Sequence, residues 1–151
     1  MNIVEKLIEK KLTISAAESL TGGLFQSTLV NTPNASKVFL GGIVSYTKEA
    51  KCKLLGLNMN DITKYGVYSN ETSCSMALGV KNLTNSHVAV GISGVAGPSS
   101  DEGVPAGTVY YTIIINNSVY NRVINIENKT RLEVREKTVE IIINDIINLL
   151  D

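Results

Sequence analysis

Ser19 stands within a run of small residues, Ser15 to Gly23, that reads S-A-A-E-S-L-T-G-G. The apolar run Leu12 to Ile14 before it predicts a buried strand, and Leu24 to Val30 after it predicts a buried helical turn or two. Where a strand hands over to a helix, several backbone N–H groups lack intrahelical partners and the helix dipole adds partial positive charge. Such a junction stabilises an anion or a developing oxyanion. Two chemistries fit. In one, Ser19 or Thr21 caps the helix while Gly22 and Gly23 allow tight packing. In the other, Ser19 is a nucleophile and the N–H groups of Thr21, Gly22 and Gly23 are the donors around it.

A nucleophilic serine needs a base. The chain has 1 histidine, His87, at the entry end of a predicted strand and so at the opposite edge of the sheet from Ser19, which argues against a Ser-His-Asp triad. The other solution is a lysine desolvated by apolar neighbours, and Tyr46, Lys48 and Lys51 offer it. An ordinary lysine pKa of about 10.4 must fall several units for that role. Lys48 reads better as a solvated surface lysine.

These groups need elements to carry them. Ile3, Val4, Leu7 and Ile8 recur at helical spacing, Leu12 to Ala16 is expected as a strand, and Thr21 to Val30 as a helix. Val38 to Tyr46 predicts a second strand that delivers Tyr46 to its C-terminal end, with Gly41-Gly42 marking a bulge or a close backbone approach. Lys48 to Leu55 predicts a helix stopped by Gly56, and Asp61 to Tyr65 a further turn stopped by Gly66. Ser69 caps a predicted helix to about Leu83, on which Cys74, Ala77, Leu78 and Lys81 share a face.

His87 to Ser93 predicts a buried strand, followed by the loop Gly94 to Pro98, whose minimal side chains let a ligand approach the backbone. Ser99 to Gly103 is polar and expected to be mobile. Thr108 to Ile115 and Val119 to Ile126 predict a hairpin around Asn116-Asn117. A last helix begins near Thr130 and aligns Leu132, Val139, Ile142, Ile143, Ile146 and Leu150. This alternation implies a single domain over 1–151, a three-layer α/β/α sandwich with a mixed, mostly parallel sheet and a C-terminal β-hairpin followed by a helix. Ligands collect beyond the carboxyl ends of such strands. The segments after Ala16, Tyr46 and Ser93 are therefore expected to meet.

Composition narrows the partners. With 14 basic and 14 acidic residues alternating along the chain, no electrostatic footprint for nucleic acid or an anionic membrane is present. Lys129, Arg131 and Arg135 form the densest basic spot, a match for one phosphate. No signal peptide or membrane span is read from the sequence, and a cytoplasmic location is expected. Cys52 and Cys74 lack metal-ligand or disulfide spacing and are expected as core thiols.

Five segments taken together, A-E-S-L-T-G-G (17–23), G-G-I-V-S-Y-T-K-E-A-K (41–51), G-V-Y-S (66–69), G-I-S-G-V-A-G-P (91–98) and P-A-G-T-V (105–109), resemble the family of the C-terminal domain of the competence/damage-inducible protein CinA. That family also exists as a stand-alone nicotinamide-nucleotide amidohydrolase. The resemblance implies hydrolysis of the carboxamide of nicotinamide mononucleotide (NMN), with Ser19 as nucleophile and Tyr46 and Lys51 handling protons. It implies Thr21, Gly22, Gly23, Gly94, Ala96, Gly97 and Thr108 around the substrate and Arg131 and Arg135 for its phosphate. It also implies no cofactor, no metal and a homodimer or higher homo-oligomer.

The chain departs from the family pattern in three places. Leu20 replaces a common cysteine, Asn128-Lys129-Thr130 stands where G-D is usual before Arg131, and the segment 99–104 is short and lacks a glycine pair and a lysine. A nucleotide-binding module without catalysis, or a serine amidohydrolase for another small amide, would share the same motifs.

Overall fold

Ile14, Ala16, Val88, Val90 and Ile92 belong to one apolar core, whereas Ala17 and Ala89 belong to another. Successive strand residues point to opposite faces, so this division places a core on each side of one sheet. The computed structural model describes residues 1–151. Its elements are α1 (Ile3–Lys10), β1 (Ile14–Glu18), α2 (Leu24–Leu29), a 3₁₀ turn (Ala35–Lys37), β2 (Phe39–Val44), α3 (Lys48–Leu55), α4 (Met59–Tyr65), α5 (Asn70–Thr84), β3 (Val88–Gly94), β4 (Thr108–Ile115), β5 (Ser118–Asn125) and α6 (Arg131–Leu150). None of these helices is long and apolar enough to cross a membrane.

The strand order is β2-β1-β3-β4-β5. β1 pairs in parallel with both β2 and β3, and β4 lies antiparallel between β3 and β5. Only β4 therefore runs against the rest. Helices α1, α2 and α6 cover one face and α5, with α3 and α4 outside it, covers the other. This is the mixed three-layer sandwich with a C-terminal hairpin and helix. The parallel trio brings the ends of β1, β2 and β3 to one edge.

Several boundaries move for identifiable reasons. Leu12 does not begin β1, because its N–H closes α1 on the Leu7 carbonyl at 2.9 Å. β1 instead continues to Glu18 and is buried throughout. Both readings of Gly41-Gly42 hold. The register slips by one residue between Ile14↔Phe39 and Ser15↔Gly41, with Gly41 at φ 135, and a Cβ on Gly42 would come within 2.2 Å of the Ala16 carbonyl oxygen. A side chain at 42 has no room.

On α5 the buried residues are Thr72, Ser73, Met76, Ala77 and Val80, while Leu78 is exposed and Lys81 reaches the Ser86 carbonyl at 2.6 Å. The expected face is thus rotated. Its cause is contact with β3, where a Cβ on Gly91 would lie 2.0 Å from the Ser73 carbonyl oxygen, so small residues must face the sheet. On α6, Leu132 is exposed and the buried stripe runs through Val134, Thr138, Val139, Ile142, Ile146 and Leu150. Cys52 and Cys74 are free and half-buried rather than core thiols, and burial raises the pKa of Cys74.

Candidate active site

β1 ends at Glu18, whose carboxylate is fully buried and accepts from the N–H groups of Phe25 at 2.9 Å and Gln26 at 3.0 Å. The start of α2 is therefore capped by the protein's own anion. Between them, Ser19 to Gly23 forms a turn in which the Gly22 N–H donates to the Ser19 carbonyl at 2.9 Å. Ser19 comes directly after the strand. Its hydroxyl is neither cap to α2 nor bound to the turn, which is the geometry of an available nucleophile rather than of an N-cap.

Lys51 arrives from α3. Thr47 caps that helix by accepting from the Ala50 N–H at 3.0 Å, and Gly56 ends it at φ 76. Within it Lys51 and Leu55, four residues apart, turn inward. Lys51 is 1% exposed, and its Nζ donates to Ser19 Oγ at 3.0 Å and to the Ser45 carbonyl at 2.8 Å. Burial lowers its pKa to about 8. No carboxylate lies against it to restore the charge.

Tyr46 takes a different position. Its hydroxyl accepts from Arg131 Nη2, and the side chain is 54% exposed. Arg131 also donates to the Gly97 carbonyl at 2.6 Å, so it ties the segment after β2 to the loop after β3. The structure thus brings Ser19 and Lys51 into direct contact and pairs Tyr46 with Arg131.

A cavity of about 460 Å³ opens over these groups, within the ~300–1,000 Å³ typical of small-molecule sites. Ser19, Tyr46, Lys51, Gly94, Ala96, Gly97 and Arg131 line it. Thr21, Gly22, Gly23, Thr108 and Arg135 do not. Thr108 turns to Asn125 at 3.3 Å on the far strand, and Arg135 grips the backbone carbonyls of Leu20 and Thr21 from α6. Each is occupied by the fold. His87 lies at the other end of β3, with Nδ1 2.9 Å from Thr13 Oγ1.

The rim of the cavity adds Tyr68, Asp101 and Glu102, which no catalytic motif in the sequence singles out. Tyr68 donates to Asp101, and Lys48 donates to Glu102, and all four line the cavity. Burial, then the Asp101 contact, raises the Tyr68 pKa; the Glu102 contact raises that of Lys48. The segment expected to be mobile is thereby tethered, and Asp101 and Val104 close it with a backbone bridge. Only the G-V-Y-S motif hinted at Tyr68. Of the basic residues lining the cavity, Lys48 is paired with Glu102, whereas Lys51 and Arg131 have no carboxylate partner. No group of three or more His, Cys, Asp or Glu side chains is placed to hold a metal ion.

Fold and site together define an α/β/α domain whose parallel strand ends frame a serine–lysine pocket. The chain belongs to the CinA C-terminal domain family, whose model matches residues 1–150. A competence-damage inducible protein of Streptococcus pyogenes serotype M49 is 45% identical over 130 residues, which are 86% of this chain and 31% of that protein. The chain therefore spans about a third of the length of the curated relatives it matches.

Solved structures agree in fold. The CinA superfamily protein of Escherichia coli superposes with TM-score 0.92 at 29% identity, covering 96% of this chain and 84% of that one. The competence/damage inducible protein CihA of Agrobacterium tumefaciens superposes with TM-score 0.93 at 30% identity, covering 99% and 92%.

Proposed function

We propose that this domain hydrolyses the carboxamide of NMN, giving nicotinic acid mononucleotide and ammonia. The observation that carries the proposal is the 3.0 Å contact between Ser19 Oγ and the Nζ of a buried lysine whose pKa is lowered to about 8. A lysine in that state is partly neutral near physiological pH and can act as a general base.

Neutral Lys51 takes the Ser19 proton as Oγ attacks the amide carbon. The ammonium so formed returns the proton to the departing nitrogen, and ammonia leaves behind an acyl-serine. Water then adds to the acyl carbon as neutral Lys51 accepts one of its protons; the ammonium returns that proton to Ser19 Oγ as the bond to the acyl carbon breaks, and the product acid leaves as its carboxylate, its proton passing to solvent. The Ser45 carbonyl holds Nζ in place through both halves.

Around this pair, the small residues Gly94, Ala96 and Gly97 leave room for the nucleotide, and Arg131 is the cation best placed for its phosphate. Tyr46, through its bond to Arg131, belongs with phosphate binding rather than with the proton transfer. Purified protein should release ammonia from NMN, and Ser19→Ala should reduce kcat by roughly 10³-fold or more. Equal rates in both would remove Ser19 from the mechanism. Stabilisation of the fold by NMN without ammonia release would replace the enzyme by a binding module.

A further inference from the structure

Tyr68 brings an aromatic ring to the cavity from the segment before α5. Ser93, near the end of β3, donates to the Val67 carbonyl at 2.6 Å, and Ser69 caps α5 by accepting from the Thr72 N–H at 3.2 Å. The backbone is thus fixed on either side of the ring. Tyr68 packs against the core on the α5 side and also lines the cavity, which sets the ring between the two. Its hydroxyl donates to Asp101, another lining residue. A hydrogen bond to a carboxylate polarises the phenol and adds electron density to its ring.

The face of an electron-rich ring attracts a cation. Tyr65 and Tyr120 receive one from the protein itself, Lys64 at 5.0 Å and Arg122 at 5.7 Å from the ring centres. Tyr68 receives none. Charge is divided across the cavity: Arg131, bonded to Tyr46 and the Gly97 carbonyl, is free of carboxylates, whereas Tyr68 is bonded to one and the charge of Lys48 is offset by Glu102. A ligand that joins a positive ring to a negative phosphate matches both parts. NMN has that form, because its ring nitrogen is bonded to ribose and the pyridine therefore carries a permanent positive charge.

We infer that the Tyr68 ring, held by Asp101, is the recognition surface for the positively charged pyridinium of the substrate, and that it selects N-substituted pyridinium carboxamides over neutral aromatic amides. The inference rests on the reading of NMN as substrate and names the feature of it that the cavity selects.

The test uses two compounds with the same carboxamide, 1-methylnicotinamide, whose ring is cationic, and nicotinamide, whose ring is neutral. Calorimetric titration of the native chain should show the cation binding about 5- to 30-fold more tightly. In Tyr68→Leu the two affinities should agree within about two-fold, while Tyr68→Phe, which keeps a ring face, should retain most of the preference and Asp101→Asn part of it. With NMN, Tyr68→Leu should raise KM by about 5- to 30-fold and leave kcat within about three-fold.

Equal affinities in the native chain, binding of neither compound, or a cation preference that survives in Tyr68→Leu would overturn the inference. If the Leu variant does not fold, nuclear Overhauser contacts between the pyridinium protons and the Tyr68 ring of the native chain decide in its place, and their absence would overturn it. A preference for the cation that depends on Tyr68, without ammonia release from NMN, would uphold the recognition and refute the hydrolysis. Ammonia release without that preference would do the reverse.

Discussion

Lys48 and Lys51 leave the same helix one turn apart and are driven in opposite directions. Lys51 is buried against Ser19 Oγ and the Ser45 carbonyl, and burial lowers its pKa to about 8. Lys48 sits at the rim, where its contact with Glu102 raises its pKa. An opposite charge favours the protonated form and desolvation disfavours it. Residue type and helix are shared; what distinguishes the buried amine from the tether is the partner and the access of water.

The sharpest way to break this comparison is to remove the buried amine. Lys51→Met should lower kcat by roughly 10³-fold or more, as losing one member of a nucleophile–base pair does, while Lys48→Met should not. Comparable losses in both would refute the distinction. A pH profile sharpens it next. In the proposed mechanism neutral Lys51 is the active form, so kcat/KM should rise about ten-fold per pH unit below 8 and level off above it. A flat profile from pH 6 to 9 would mean that another group is the base.

Stability carries the same signature with a determined sign. Between a folded pKa of about 8 and the ordinary 10.5, the unfolded chain binds the extra proton, so stability rises with pH across that window. The penalty is fully present below pH 8 and is relieved above 10.5. Relative to Lys51→Met, the native chain should gain on the order of 3 kcal/mol from pH 7 to pH 10.5. Denaturant unfolding of both proteins at the two pH values measures it, and an unchanged difference would contradict the burial argument. Smallest of all, Lys48→Ala should alter KM by less than roughly three-fold, since an exposed ion pair contributes little. A large rise in KM would give Lys48 a direct part in substrate binding.

Much of the fold could be read from residue order because the signals were local. Alternation along the last strand, Ser69 as a cap, Thr130 as a helix start, Gly56 as a stop, and the strand Thr108–Ile115 all depend on neighbours within a few positions. The faces of α5 and α6 were less accessible. Leu78 and Leu132 are apolar and suitably spaced, yet both are exposed, because the sheet accepts only small side chains opposite Gly91 and α6 turns on Val134 instead.

For the site, the residues alone put forward Ser19 with Tyr46, Lys48 and Lys51 around it, and the family resemblance selected Tyr46 and Lys51; the fold sets Lys51 against Ser19 and Tyr46 against Arg131. Long-range contacts decided the rest. The Lys51 amine meets Ser19 across 32 positions of chain, and Arg135 reaches Leu20 across 115. Glu18 occupies the helix terminus that local sequence offered to an oxyanion. Desolvation and hydrogen-bond partnership are properties of the folded surroundings, so the identity of a lysine or arginine in the chain leaves its protonation and its work open until the fold supplies its neighbours.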